Sequence, residues 1–321
     1  MVNSSLVQLA RANVSNIDNL INASAALQHT EKPYLEGKLQ QKIIEEEELP
    51  PLEIRLEEAK KKTEMWTERL HDLQSWSFYW FLTKFTCRYQ RELDEIHAGI
   101  KKSKSFEEDI QEAENAVRER IRKISAEGEK YAVDCRTLDK YRDELAQLTD
   151  PIFAGGDFST NSALKAAAES RRETIKATEK DTLQLRKVIE LLAKADSAIM
   201  IAIVDLRSAS GNGNPGEGRV VFPDEAFEAI KEARNIYPSL PSIPKPEFFH
   251  DKPDETGAKY KPMQAFLWDV KNSLADLSKW CHKNIIENLK RSVDEELALG
   301  AATDELMKER QRLIKEVILS A

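Results

Sequence analysis

Apolar side chains recur between residues 164 and 206 in alternating steps of four and three residues. A pattern kept over six heptads is typical of a long helix that packs against other helices. The stripe consists of Leu164, Ala168, Arg171, Ile175, Thr178, Thr182, Leu185, Ile189, Leu192, Asp196, Ile199, Ile203 and Leu206. Its polar members, Arg171, Thr178, Thr182 and Asp196, either set the helix register or face water, and the sequence leaves both readings open.

The same periodicity occurs on both sides of an aromatic segment and predicts an antiparallel hairpin. The first arm covers residues 52–75, where a heptad stripe runs from Leu52 to Leu73. The second arm covers residues 86–150 and is expected to be one helix despite Gly99. Four-residue steps at Ala113, Val117 and Ile121 predict a stutter, which is a local unwinding of the supercoil.

Prolines and glycines divide the chain into segments. The expected organisation is an N-terminal helical segment (1–50), interrupted at Pro33, and an antiparallel hairpin (51–150) with an aromatic tip at 76–85. A third long helix (151–210) packs on the hairpin in this prediction. A Gly- and Pro-rich connector with one short helix (211–262) leads to a C-terminal helical region (263–321), with a kink or break at Gly300. The predicted fold is therefore all-α, an elongated helical bundle or intramolecular antiparallel coiled coil.

Charge and cysteine content exclude several classes of protein. The chain has a formal net charge of −8, which argues against a general nucleic-acid binder because phosphate neutralisation needs a basic face. Its three cysteines lack CxxC spacing, so neither a disulfide framework nor a zinc ribbon is expected. The sequence contains no run of apolar residues long enough to span a bilayer and no signal-peptide core at Met1–Ala12, which predicts a cytoplasmic protein.

The aromatic segment between the two arms is the candidate contact site. Large aromatic side chains cluster at Trp76, Phe78, Tyr79, Trp80, Phe81 and Phe85. The favoured prediction is that most of these rings are buried and close the end of the bundle. The alternatives are docking of a partner helix and, less favoured, contact with a membrane interface, where Trp and Tyr beside basic residues are common.

The order of these features resembles a set of uncharacterised coiled-coil proteins of fungal type. The resemblance covers roughly residues 50–290 and rests on three features: the Trp76–Phe85 tip, the LTDPIFAGGDF break at Leu148–Phe158, and the YPSLPSIP connector at Tyr237–Pro244. It implies the fold described above. It implies no activity, because that family has no established one.

The sequence carries no nucleotide-binding, zinc-protease or serine-hydrolase motif, so an enzyme is not expected. Glu68 with His71, and Asp94 with His97, have the spacing used by di-iron bundles, but the two histidines are expected at different depths in the hairpin. Neither a metal nor another cofactor is therefore expected. The sequence favours a non-enzymatic interaction or scaffold protein that binds protein partners through helix surfaces, with self-association left open. A peripheral membrane protein and a metal-dependent oxidoreductase are the alternatives.

Overall fold

The computed structural model describes residues 4–75, 89–154, 158–211, 223–243 and 260–320. The described residues form six α-helices and no strand, which confirms the all-α prediction. The helices are α1 (Ser4–Glu47), α2 (Leu49–Gln74), α3 (Tyr89–Phe153), α4 (Ser159–Gly211), α5 (Asp224–Ile236) and α6 (Tyr260–Leu319). They pack as antiparallel bundles in two compact units. The expected packing of the third long helix on the hairpin stays a prediction.

The first unit contains residues 1–158 together with residues 307–321 from the end of the chain. In it, α1 and α2 follow one another along α3 in the antiparallel direction. Three contacts mark this direction: Glu31 with Arg142, Glu53 with Arg118, and Trp66 with Gly99. The predicted antiparallel hairpin is thus confirmed, and α1 extends its first arm.

The heptad stripe of α2 is confirmed residue by residue. Between Leu52 and Gln74, every buried or half-buried residue is a member of the predicted stripe, and every other residue is exposed. Leu56, Ala59 and Leu73 are fully buried against α3. An arm of this kind is stabilised through one face alone, and the rest of its surface is left to solvent.

Along α3, the core positions keep alternating steps of four and three residues without a slip, so the predicted stutter is wrong. The buried and half-buried positions that follow this spacing are Ile96, Ile100, Ser103, Glu107, Ile110, Glu114, Val117, Ile121, Ile124, Gly128, Tyr131, Cys135, Leu138, Arg142, Leu145, Thr149 and Ile152. The prediction chose the apolar Ala113, which is exposed, over its neighbour Glu114, which is buried. An acidic residue at a core position concealed the regular spacing.

Pro33 does not interrupt α1, which runs through it from Ser4 to Glu47. A proline inside a helix costs about 3 kcal/mol because it removes a hydrogen bond and crowds the preceding turn. Packing on both sides of Pro33 offsets this cost: Thr30 and Leu35 are buried, and Glu31 receives two hydrogen bonds from Arg142 in α3.

At the far end of the first unit, three helix segments share one apolar core. It contains Ala10 and Ile17 of α1, Leu145, Ile152 and Phe153 of α3, and Met307 and Ile314 of α6. Polar contacts surround it: Asp18 accepts hydrogen bonds from Gln311 and pairs with Lys315, and buried Arg310 pairs with Asp150. Burial disfavours the Asp18 carboxylate, but the bonds from Gln311 and Lys315 outweigh burial and hold its pKa below the ordinary value.

The second unit, residues 159–306, is built from α4, α5 and most of α6. Two ion pairs show that α4 and α6 are antiparallel: Arg171 with Glu295, and Asp196 with Lys271. The predicted α4 stripe is confirmed from Leu164 to Ile203, where all its members are buried or half-buried. A second set of α4 residues is also buried: Val188, Ala195 and Ala202. This part of α4 packs against α5, whose buried face is rich in alanine. The structure does not describe the side chain of the last stripe member, Leu206, so its burial stays a prediction.

Gly300 neither kinks nor ends the last helix, since α6 is continuous from Tyr260 to Leu319. A glycine inside a helix costs only about 1 kcal/mol relative to alanine, which packing readily offsets. Gly300 is buried, as is Thr303 in the next turn. The expected break at this glycine is therefore wrong.

Candidate functional site

The predicted contact site at Trp76, Phe78, Tyr79, Trp80, Phe81 and Phe85 lies outside the described residues. The structure gives the two helix ends that flank it. Helix α2 ends at Gln74, with Ser75 as its extended C-cap, and α3 begins at Tyr89. Burial of these rings remains a prediction.

Next to this segment, the last turns of α2 line an open hollow of about 440 Å³. Its lining residues among those described are Thr67, Glu68, His71 and Asp72, and all four are exposed. The hollow is open to water, so its polar groups keep their hydration. Solvation of this kind leaves a histidine and two carboxylates as ordinary surface groups.

The two histidine pairs do not form a metal centre in the described part of the hairpin. No group of three or more histidine, cysteine, aspartate or glutamate residues is close enough there to hold a metal ion. His71 and His97 are both exposed. Counting in sevens from the Glu48–Arg120 pair places them at about the same level of the two helices. Their depth from the tip at 76–85, which lies outside the described residues, stays a prediction.

Trp66 packs directly on the backbone of α3 at Gly99. A β-carbon at Gly99 would lie 2.7 Å from two ring carbons of Trp66, closer than carbon atoms approach in folded proteins. The guanidinium of Arg69 lies over the same ring, 5.4 Å from its centroid, in a cation–π contact. Gly99 is therefore needed for close approach of an aromatic side chain, which explains a helix-weakening residue at this place.

Substitution of this glycine gives the first prediction. Gly99→Ala is expected to lower the free energy of unfolding and change Trp66 fluorescence, although alanine favours a helix by about 1 kcal/mol. The matched control is Gly128→Ala in the same helix, where a β-carbon meets no atom within 4 Å. There the helix preference acts alone, and a gain of about 0.5–1 kcal/mol is expected. Equal changes in the two melting temperatures would contradict the contact.

One edge of the hairpin has an uneven distribution of charge. On each helix, the residue that immediately precedes every second core residue flanks the seam on this edge. On α2 these residues are Arg55, Lys62 and Arg69, and on α3 they are Gly99, Phe106 and Ala113. We call this surface the basic groove. Its two walls are thus basic on one helix and apolar on the other.

The polar stripe residues of α4 have partners inside the second unit. In the second unit, Arg171 and Asp196 pair with Glu295 and Lys271 of α6 at 3.0 Å each. Buried Thr178 and Thr182 donate hydrogen bonds to carbonyl groups four residues earlier in α4. These contacts favour the reading that charged seam residues select the register of the helix pair, since a shifted register would separate the pairs.

The buried carboxylate of Glu114 was missed by sequence reasoning. Its side chain accepts hydrogen bonds from Arg118 at 2.7 Å and from Gln111 at 3.1 Å. Arg118 also pairs with Glu53 of α2 at 2.8 Å, so it joins the two arms. The unbroken four-and-three spacing of the neighbouring residues is the signal that could have placed Glu114 in the core.

Cys135 and Cys281 are free thiols at the core of the first and second unit, respectively. Burial raises the pKa of Cys281 to about 11 and raises that of Cys135 as well. A raised pKa disfavours the thiolate, which is the reactive form of a cysteine. Both thiols therefore pack as core side chains in the described structure.

This burial gives a second prediction, made for a Cys87→Ser background. Both remaining thiols should react with a thiol reagent only when their units open, so each labelling rate should rise in step with denaturant. Mass spectrometry of the labelled peptides separates Cys135 from Cys281. Rapid labelling of either thiol in native buffer would show that its helix contacts are not as described.

A comparison of the chain with models of protein families, with curated proteins and with solved structures found no match.

Proposed function

We propose that the protein is a non-enzymatic interaction or scaffold protein that binds protein partners through the surfaces of its coiled-coil helices. The observation that carries this proposal is the one-sided packing of α2. Outside its heptad stripe, every residue of this arm from Leu52 to Gln74 is exposed. A helix of 26 residues thus presents most of its circumference to other molecules.

The charges on the hairpin support the same proposal. Contacts between the arms use few of the charged side chains, as in the pairs Glu53–Arg118 and Glu48–Arg120. The remaining charges on α2 include exposed Arg55 and Lys62. Charged residues beside a coiled-coil seam select binding partners and their orientation more than they stabilise the fold.

The membrane alternative depends on the aromatic residues at 76–85. In the described part of the chain, no helix is long and apolar enough to cross a membrane. Contact of exposed Trp and Tyr rings with a lipid surface would be peripheral. The oxidoreductase alternative would need His71 and His97 to bind metal.

A photo-crosslinking experiment tests the proposal. A photoreactive amino acid is placed at exposed positions on α2 and α3, such as Met65 and Val133, in the full-length chain in its native host. A discrete crosslinked protein, or a crosslinked second copy, is expected from at least one helix surface. Absence of any discrete protein adduct from all positions, together with co-sedimentation on lipid vesicles, would replace the proposal by the membrane alternative.

A further inference from the structure

The basic groove can be located by counting heptads along the antiparallel hairpin. Glu48 and Arg120 form an ion pair across this edge. Each step of seven residues forward on α2 matches seven residues backward on α3. The steps place Arg55 opposite Ala113, Lys62 opposite Phe106, and Arg69 opposite Gly99. Contact of Trp66 with Gly99, beside Arg69, agrees with this register.

Apolar surface is open to solvent along the groove. Phe106 is 42% exposed, although it belongs to a helix whose core residues face the other arm. Trp66 is half-buried and lies against Gly99, so one region of its ring borders the groove. An exposed phenyl ring and a partly exposed indole on neighbouring turns form a surface that a third helix can cover.

The charges of the groove lack opposite partners across the seam. Among the described residues, neither Arg55 nor Lys62 has a hydrogen bond or ion pair, and Arg69 contacts the Trp66 ring. Each edge of the hairpin has one ion pair between the arms, Glu48–Arg120 on this edge and Glu53–Arg118 on the other. Acidic residues lie near these cations in sequence, among them exposed Glu58, Glu68 and Asp72 on α2 and half-buried Glu107 on α3. Three cationic groups thus recur at heptad spacing, and the positions opposite them across the seam, Ala113, Phe106 and Gly99, hold no carboxylate.

We propose that the basic groove binds an acidic amphipathic helix of a partner protein. The inference rests on the proposed function and specifies the class of partner. The apolar stripe of that helix covers Phe106 and the Trp66 ring, and its carboxylates, one per heptad, pair with Arg55, Lys62 and Arg69. Charge complementarity selects this occupant, because a basic helix would place like charges together at each of three levels.

A pair of designed peptides tests the proposal with the full-length protein. Both peptides are about four heptads long with leucine at the core positions, and they differ only in having glutamate or lysine at the flanking positions. The glutamate peptide is expected to bind, with affinity that falls as salt is raised. Reversal of the groove charges (Arg55→Glu, Lys62→Glu and Arg69→Glu together) should weaken the glutamate peptide at least tenfold and create binding of the lysine peptide.

Two control variants separate the groove from general charge effects. Lys60→Glu with Lys104→Glu changes charge on the opposite edge of the same hairpin and should leave the preference for the glutamate peptide intact. Phe106→Ser removes an exposed apolar group, so it should weaken the peptide without lowering the melting temperature. Circular dichroism confirms that each variant is folded. If the triple variant does not fold, Phe106→Ser and the opposite-edge variant still decide the question.

The inference is overturned if the two peptides bind equally or if neither binds. It is also overturned if the opposite-edge variant weakens the glutamate peptide as much as charge reversal in the groove. Its failure differs from failure of the proposed function. If only the inference fails, partners crosslink to other helix surfaces and remain bound after the groove charges are reversed. If the proposed function fails, no helix surface gives a protein adduct.

Discussion

Leu145→Asp is expected to lower the free energy of unfolding of the first unit by more than about 4 kcal/mol. Leu145 is only 1% exposed and lies in the core shared by α1, α3 and the end of α6. A carboxylate there loses its hydration among apolar side chains, and the buried cation beside this core, Arg310, is already paired with Asp150. Urea unfolding followed by circular dichroism measures the loss, and the first unit may be followed separately through Cys135 labelling.

Val133→Asp is the matched control for this substitution. Val133 lies in the same helix and is 61% exposed, so the new charge stays in water. A change within about 0.5 kcal/mol is expected. If the two substitutions lowered stability equally, Leu145 would not be a core residue.

Arg142→Ala is expected to cost about 3–5 kcal/mol, because it leaves a largely buried carboxylate without its cation. Arg142 donates two hydrogen bonds to Glu31, at 2.6 and 3.0 Å, and the two side chains are 9% and 19% exposed. The pair also holds α1 against α3 close to Pro33, where the α1 backbone lacks one hydrogen bond. Urea unfolding followed by circular dichroism measures the loss.

Arg120→Ala controls for loss of an interhelical ion pair at the surface. The Arg120 and Glu48 side chains are 50% and 43% exposed, so either charge can return to water. A loss below about 1 kcal/mol is expected. A larger loss here than at Arg142 would contradict the ranking by burial.

Helices in this chain could be predicted because heptad spacing repeats the same physical requirement at each turn. Leu52, Leu56 and Ala59 continue in phase with Leu73, and the structure buries this face alone. Errors arose where a single residue type was weighed against tertiary packing. Pro33 and Gly300 have poor helix propensity, yet both lie within continuous helices because neighbouring turns are buried. Propensity differences of 1–3 kcal/mol are within the range that such packing offsets.

The basic groove could not be recognised from composition, because its chemistry depends on which residues face each other across two helices. Arg55, Lys62 and Arg69 are ordinary surface residues until the register places Gly99, Phe106 and Ala113 opposite them. The register in turn depends on contacts such as Glu48–Arg120, which join residues far apart in the chain. The aromatic residues from Trp76 to Phe85 were visible in the sequence, and their role stays a prediction.

The first unit takes its last core residues, Met307 and Ile314, from a point in the sequence that follows the entire second unit. On the ribosome, residues 159–306 therefore emerge before the first unit can complete its core. The contact between Asp18 and Gln311 spans 293 residues, and contacts of such large sequence separation slow folding. Closure of so long a loop is slow unless the intervening chain has already become compact. Early folding of the second unit would shorten the effective loop, so variants that unfold it are expected to delay assembly of the first during translation.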